Sequence, residues 1–368
     1  MFIDTTKKEK LLRPLQVVIG IVERKQTLPI LSNILLEKND GKLEFTATDL
    51  EIQITTTLVD ELAKNSSESI TVAGKKFLDI LRILPDESTL SLESKENRVI
   101  VRSGKSRFSL QSLPAMDFPK LQDHRKGKSV VTLQQKKLKD LLNSVQYAMA
   151  QQDVRYYLNG VLIITESNQL RAVATDGHRL AYNSISVDGE FSKQEIIIPR
   201  KAVMELSRLL NDTEDTVELE FSSQQFKATF GGINLLTKVI DGKFPDYERV
   251  IPKYDNHLDM DRLKIQQALQ RVSILANEKF RGVRFILTEK NLSIISSNSE
   301  QEEAQEEIET EYHGNAIDIG FNVNYLLDGI NNIASKNIEF SFGDPNSSIL
   351  ITTKENEDFR YVVMPMRI

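Results

Sequence analysis

One pattern runs three times through the 368 residues, and any fold has to accommodate it. LPILSNILLEKNDGKLEFTATDLEI (Leu28–Ile52) returns as VRYYLNGVLIITESNQLRAVATDGHRLAY (Val154–Tyr182) and, more loosely, as FRGVRFILTEKNLSIISSNSEQEEA (Phe280–Ala304). Each copy reads as an alternating apolar strand, a polar turn with Asn, a second alternating strand and a Thr-Asp or Ser-Asn turn. Asp49, Asp176 and Asn298 hold the same place in the copies, 127 and 122 residues apart. An amphipathic helix precedes each copy: KKEKLLRPLQVVIG, QQKKLKDLLNSVQYAMA and MDRLKIQQALQRVSILA. A strand leading into a second helix follows: ITVAGKKFLDILRIL, IIIPRKAVMELSRLL and IDIGFNVNYLLDGINNI. Closing strands run to Pro119, Pro245 and Pro365. The expected organisation is three homologous α+β domains, 1–128, 129–253 and 254–368, each with antiparallel sheets and two helices packed on one side.

Charge follows the same division. The formal net charge is −6. Six predicted helical segments, Thr5–Ile19, Ala73–Leu84, Thr132–Met149, Pro199–Asn211, Asp259–Leu275 and Ile319–Ile333, together carry +9, which leaves −15 for everything else. Helices gathered on one side would form a cationic surface on an acidic body, suited to phosphate backbones without base reading. No helix-turn-helix, zinc-finger or RNP motif accompanies it. Lys and Arg also decorate ordinary solvated helices, and that plainer explanation stands beside the first. A basic hairpin, RVIVRSGKSRFSL (Arg98–Leu110), and an acidic run, EQEEAQEEIETE (Glu300–Glu311), lie far apart in the chain. Such a pair suits head-to-tail contact between copies, which closes a ring when the rotation allows.

Much chemistry is excluded. The chain has no cysteine, so disulfides, thiolate nucleophiles and Cys-built zinc or iron–sulfur sites are ruled out. Four scattered histidines (His124, His178, His257, His313) offer no HxxxH pair, so neither a metal nor a cofactor is expected. TDGHRL (Thr175–Leu180) reads as a turn rather than an Asp–His catalytic pair, and no GxSxG accompanies it. Gly74-Lys75-Lys76 and Gly104-Lys105-Ser106 lack the full phosphate-loop spacing. Apolar runs are only a few residues long, as at Val161–Ile164, and Met1–Lys10 has no apolar signal core, so a cytoplasmic location is expected.

QDVRYYLNG, ATDGHRLA, IIPRK, DGKFPDYERVIP, NEKFRGVRF and YVVMPMRI together resemble the β subunit of bacterial DNA polymerase III, the sliding-clamp family, from Leu11 to Ile368. The resemblance implies a non-catalytic processivity factor, a head-to-tail homodimer closed into a ring, with helices lining a central hole and antiparallel sheets outside. Its partners would be duplex DNA without sequence preference, a second copy of itself, and the polymerase α subunit, the clamp loader and other replication and repair proteins bearing linear peptide motifs.

By matching motif, the DNA-facing residues would be Lys25, Lys75, Gln152, Tyr156, Tyr157, Arg200 and Lys201. The floor of the peptide pocket would be Leu158, Thr175, Gly177, His178, Leu180, Pro245, Val250, Val363, Met364 and Met366. Its polar rim would be Arg155, Arg179, Arg249, Asn322, Tyr325, Ser348, Pro365 and Arg367. The ring interface would set Phe108 and Leu110 against Ile274 and Leu275, with Lys76, Lys105 and Arg107 facing Glu300, Glu303 and Glu306. Two other readings stay open: a non-encircling scaffold using the same pocket, and a hydrolase built on TDGHR.

Overall fold

The computed structural model describes residues 2–22, 28–39, 41–59, 67–123 and 129–367. The first repeat supplies β1 (Ile3–Lys7), α1 (Lys8–Val18), β2 (Asn33–Asn39), β3 (Lys42–Thr48), β4 (Ile52–Val59), β5 (Glu68–Ala73), α2 (Gly74–Ile83), β6 (Thr89–Lys95), β7 (Arg98–Ser103) and β8 (Ser106–Gln111). The second supplies β9 (Ser129–Gln134), α3 (Gln135–Asn143), β10 (Gly160–Thr175), β11 (Arg179–Pro199), α4 (Arg200–Leu209), β12 (Thr216–Phe221), β13 (Gln225–Phe230) and β14 (Ile233–Lys238). The third supplies β15 (Asn256–Asp261), α5 (Arg262–Val272), β16 (Gly282–Leu287), β17 (Asn291–Ser297), β18 (Glu303–Glu309), β19 (Ile317–Asn322), α6 (Val323–Asn331), β20 (Asn337–Phe342), β21 (Ile349–Thr352) and β22 (Arg360–Val363).

The six helices described are shorter than the segments expected, and ahead of α1, α3 and α5 stands a strand that the expectation had merged with the helix. Three of the five residues of Ile3–Lys7 are β-branched, and the segment pairs with β6 through Ile3↔Leu92 and Thr6↔Leu90. The helix then buries one stripe, as in α5, where Ile265, Ala268, Leu269 and Val272 are buried at i, i+3, i+4 and i+7. Asp261 caps α5 by accepting from the Lys264 amide at 2.9 Å. Lys8, at the first position of α1, is itself buried and donates to the Leu84 carbonyl at 2.6 Å and to Asp86 Oδ1 at 2.9 Å. A second departure concerns the expected turn at Ser167-Asn168-Gln169. The chain runs on there as the single strand β10, its register shifted and Ser167 in the left-handed region at φ 53°.

Among the described residues every strand pairing is antiparallel, in four sheets ordered β1-β6-β7-β8, β5-β2-β3-β4-β14-β13-β12-β9, β10-β11-β22-β21-β20-β15 and β18-β17-β16-β19. Two of these sheets are continuous from one repeat into the next, through β4–β14 (Ile52↔Thr237) and β11–β22 (Arg179↔Val363). The compact units therefore do not follow the sequence repeats. One holds β1–β9 and β12–β14, the other β10, β11 and β15–β22, and the division falls inside α3 and α4.

The repeat is visible at the level of single hydrogen bonds. Thr48 Oγ1 donates to the Ile52 carbonyl, and Asp49 Oδ1 accepts from the amides of Glu51 and Ile52. Thr175 Oγ1 likewise donates to the Arg179 carbonyl, and Asp176 Oδ1 accepts from the amides of His178 and Arg179. Leu50 and Gly177 take the same left-handed position, at φ 79° and 90°. The third copy is looser: Asn298 Oδ1 accepts from Glu300 and Glu302, one residue further on, and Gln301 becomes the left-handed residue at φ 65°.

In the first unit, Arg208 donates to the Val17 carbonyl at 3.0 Å and satisfies a free group at the end of α1. In the second, α6 packs so closely on Tyr361 that Gly329 has no room for a side chain. Gly329→Ala is expected to destabilise the fold by about 1–3 kcal/mol through overpacking, to be read as a lower midpoint in urea unfolding.

Candidate docking cleft

The strongest candidate site lies within the second unit. β11 and β22 run side by side with Leu180 opposite Val362, and that pair forms part of the floor of a cleft of about 230 Å³. Period-two alternation decides which residues take part. Val362 faces the cleft, Val363 turns away into the core at 0% exposure, and Met364 returns to the cleft at 47%. The expected floor residue Val363 is thus replaced by its neighbour, a one-residue flip of face.

A short 3-10 turn, Tyr156–Leu158, brings in Leu158 from the other side. Pro245, Tyr247 and Val250 of the FPDYERV segment complete the wall. Tyr247, which the sequence reading missed, is buried against Tyr182 with ring centroids 5.8 Å apart, and burial pushes its hydroxyl up to about 12. Its partial signal was the apolar spacing of Phe244, Tyr247 and Ile251 between two polar stretches.

The Thr175–Arg179 turn forms the lip. Gly177 is exposed, and a Cβ there would press on the guanidinium of Arg155. Arg155 is held by Asp153 through Nε at 3.0 Å and Nη2 at 2.9 Å, and it reaches the Asp176 carbonyl at 3.1 Å. Asn159 closes the same loop, donating to the Asp153 carbonyl and accepting from its amide. His178 is exposed, its ring stacked on Tyr325 at 6.3 Å, and its carbonyl accepts from the Met364 amide at 2.9 Å. Asp176 Oδ1 accepts from the His178 and Arg179 amides and Oδ2 from Arg179 Nε, so both oxygens are engaged by groups other than the His178 ring.

Arg179 departs most from expectation. It is not an open rim cation: its side chain is 10% exposed and enclosed by Asp176, Asp328 and the Tyr147 carbonyl. Burial opposes its charge, but Tyr361, Asp328 and Asp176 outweigh that and push its pKa up.

The remaining expected pocket residues are more dispersed. Arg249 is exposed and paired with Asp246 at 2.7 Å. Asn322 caps α6 through the Asn324 amide, and the Ser348 carbonyl accepts from the Tyr254 hydroxyl. Met366 and Arg367 line a separate groove with Gly320, Pro345 and Asn346, and the Met366 amide donates to the Gly320 carbonyl. Pro365 links the two places.

Among the expected DNA-facing residues, Lys25 lies outside the described residues. Lys75, near the start of α2, is half-buried. Gln152 is exposed at φ 56°, and Tyr156 is 59% exposed. Tyr157 instead lines the cleft, edge-on to Tyr156. Arg200 donates to the Met149 carbonyl at 3.3 Å, and its amide to the Asn159 carbonyl at 2.9 Å. It therefore shares a loop with the cleft, and Lys201 follows it, half-buried.

The expected interface residues fall on or near the edge strands β8 and β18, on α2 and just after α5. On β8, Phe108 is half-buried and Leu110 buried, and Arg107 is exposed, as are Lys105 just before it and Lys76 of α2. In the other unit Ile274 is 77% exposed and Leu275 half-buried, just after α5. Glu300 and Glu303 are exposed, at and before the start of the edge strand β18. Glu306 differs, because Arg271 of the same chain already binds it at 2.6 and 2.8 Å. Among the described residues no group of acidic and histidine side chains is arranged to hold a metal.

Hydrogen bonds from Arg155 lower the Asp153 carboxyl from 3.8 to about 2. A depressed carboxyl stabilises its fold above the ordinary value and loses that contribution as pH falls through the lowered one. The Asp153–Arg155 clasp is therefore expected to persist at pH 4 and to open on approach to pH 2, as carboxyl chemical shifts of Asp153 would report.

Comparison with known proteins accounts for this arrangement. Three consecutive family profiles match: the N-terminal domain of the DNA polymerase III beta subunit over residues 2–122, the central domain over 132–246 and the C-terminal domain over 248–367. The beta sliding clamp of Pseudomonas putida is 44% identical over 366 residues and that of Escherichia coli K12 43% over 365, each covering 99% of both chains. A sliding clamp of Pseudomonas aeruginosa solved with griselimycin superposes with a TM-score of 0.93 at 43% identity, covering 99% of both chains. The clamp of Bartonella birtlesii, also bound to griselimycin, gives 0.93 at 34% identity, again over 99% of each chain. With identity at this level along the whole length and all three domain profiles in order, the chain belongs to the DNA polymerase III beta subunit family, the bacterial sliding clamps.

Proposed function

We propose that the chain acts as a sliding clamp: two copies close head to tail into a ring around duplex DNA, and the cleft tethers the replicative polymerase and its co-workers. The clamp is a non-catalytic processivity factor. The observation that carries the tethering half is the apolar cleft floored by Leu158, Leu180, Val362 and Met364. It is small enough to grip one or two apolar side chains of a linear motif and rimmed by polar groups that fix orientation. Met364 suits a site shared by several partners, because an unbranched thioether adapts to different anchors.

The encircling half is supported by charge. Helices α1–α5 carry more basic than acidic residues, while α6 carries only Asp328. Around a threaded duplex, cationic helices give a weak attraction to phosphates with no sequence-specific minimum to stall movement. Retention is then topological. Lys25, Lys75, Gln152, Tyr156, Arg200 and Lys201 are assigned to DNA, and Tyr157 to the cleft. The three domains are taken as 1–128, 129–253 and 254–368.

Closure is assigned to Phe108, Leu110, Ile274 and Leu275, with Lys76, Lys105 and Arg107 facing Glu300 and Glu303. Because exposed ion pairs contribute only about 0–1 kcal/mol each, the apolar contacts dominate. Glu306 serves its own chain by bracing Arg271. Among the described residues no helix is long and apolar enough to cross a membrane; we assign the protein to the cytoplasm, where its DNA is.

Two outcomes test this reading. Protein loaded on closed circular DNA is expected to survive a high-salt wash and to be shed once the circle is cut; equal loss from both forms excludes encirclement and favours the scaffold. Met364→Ala is expected to weaken a peptide copied from the polymerase C-terminus by about 1 kcal/mol of apolar burial, with Met366→Ala close to neutral and the dimer mass unchanged in both. A dimer lost on Met364→Ala would show that the cleft and the interface have been confused.

A further inference from the structure

The first and second repeats build the same lip turn, yet the position of Arg179 in one is occupied by Ile52 in the other. Ile52 is buried, at 1% exposure, and the Thr48–Ile52 turn makes its hydrogen bonds without a guanidinium. The turn itself therefore does not require an arginine. What sets the Thr175–Arg179 turn apart is the cleft beside it.

We propose that Arg179 is a positioning residue for peptide capture: it locks the lip turn of the second repeat onto α6 of the third and so fixes where His178, with Tyr325 stacked on it, stands at the cleft. This inference rests on the docking reading above and deepens it. Three donors of the guanidinium go to three separate elements: Asp176 Oδ2 of the lip at 3.1 Å, Asp328 Oδ2 of α6 at 2.5 Å and the Tyr147 carbonyl at 2.7 Å. Its plane lies over the Tyr325 ring, 4.5 Å from the centroid. Tyr325 in turn stacks on His178, whose carbonyl holds the Met364 amide. One buried cation, itself part of the cleft wall, thus also reaches His178 and Met364 through Tyr325 and the lip, and Asp328→Asn separates that positioning from any direct contact Arg179 makes. A lysine keeps the charge but cannot bridge three fixed acceptors in a plane.

The test uses the full-length protein with Arg179→Lys and Asp328→Asn, and griselimycin, the ligand carried by two solved relatives, as probe. Asp328 does not line the cleft, so its substitution removes no direct contact with a ligand. Both variants are expected to bind the probe roughly three- to tenfold more weakly, as coupled members of one network do. Both are also expected to move the His178 ring-proton resonances as the Tyr325 stack loosens. Unchanged affinity, or an affinity loss that follows thermal stability alone with the His178 resonances unmoved, overturns the proposal. If Arg179→Lys does not fold, Asp328→Asn still decides the matter. Should the unsubstituted protein fail to bind griselimycin, the docking reading fails, and the His178 resonances still say whether Arg179 positions that ring.

Discussion

The Thr–Asp turn is the constraint on which the rest of the molecule depends. Two short side chains satisfy the backbone amides that a tight reversal leaves open, so the strands on either side can end abruptly and in register. At Thr48–Ile52 this fixes β4 for pairing with β14, and at Thr175–Arg179 it fixes β11 for pairing with β22. In each case the pairing is between repeats. A local motif with only local bonds is thereby responsible for sheets that continue from one repeat into the next. The left-handed residue at its centre, Leu50 or Gly177, then determines what stands at the lip. Glycine there leaves space for Arg155 to fold over.

Function is layered on this frame by small changes at equivalent positions. The second copy of the turn carries Gly177, His178 and Arg179 where the first carries Leu50, Glu51 and Ile52. Just past the strand alongside stands Met364 where the first has Lys238, and Lys238 pairs with Glu51 across the equivalent gap at 3.0 Å. One junction is consequently a surface ion pair and the other an apolar cleft, although the backbone hydrogen bonds match. The Met364 amide donates to the His178 carbonyl just as the Lys238 amide donates to that of Glu51.

The repeat, the α+β class, the basic helices and most of the cleft were legible in the sequence because each depends on short-range pattern. Leu158, Thr175, Leu180, Pro245, Val250 and Met364 all line the cleft. What the sequence withheld was three-dimensional partnership. Strands β1, β9 and β15 were absorbed into the helices that follow them, since a five- or six-residue strand abutting a helix breaks no pattern. Val362 and Val363 are chemically the same, and only the pairing register with Leu180 separates floor from core. Arg179 and Glu306 looked like free surface charges because their partners, Asp328 and Arg271, lie 149 and 35 residues away. Tyr157 looked like a companion of Tyr156 until the 3-10 turn set the two rings at 69° to each other.

The edge strands β8 and β18 carry opposite charge, and each has one side free of partners within its own sheet. An open strand edge is ordinarily a hazard, because any similar edge can add to it. Here like meeting like sets arginine beside arginine or glutamate beside glutamate, which disfavours stacks of identical edges. In the proposed head-to-tail closure only unlike edges attract, and they would do so before close contact, so the sign of each ribbon would select both the mate and its polarity. If closure runs through these edges as proposed, the same residues that direct a newly made chain toward its twin also guard it against indiscriminate β-aggregation.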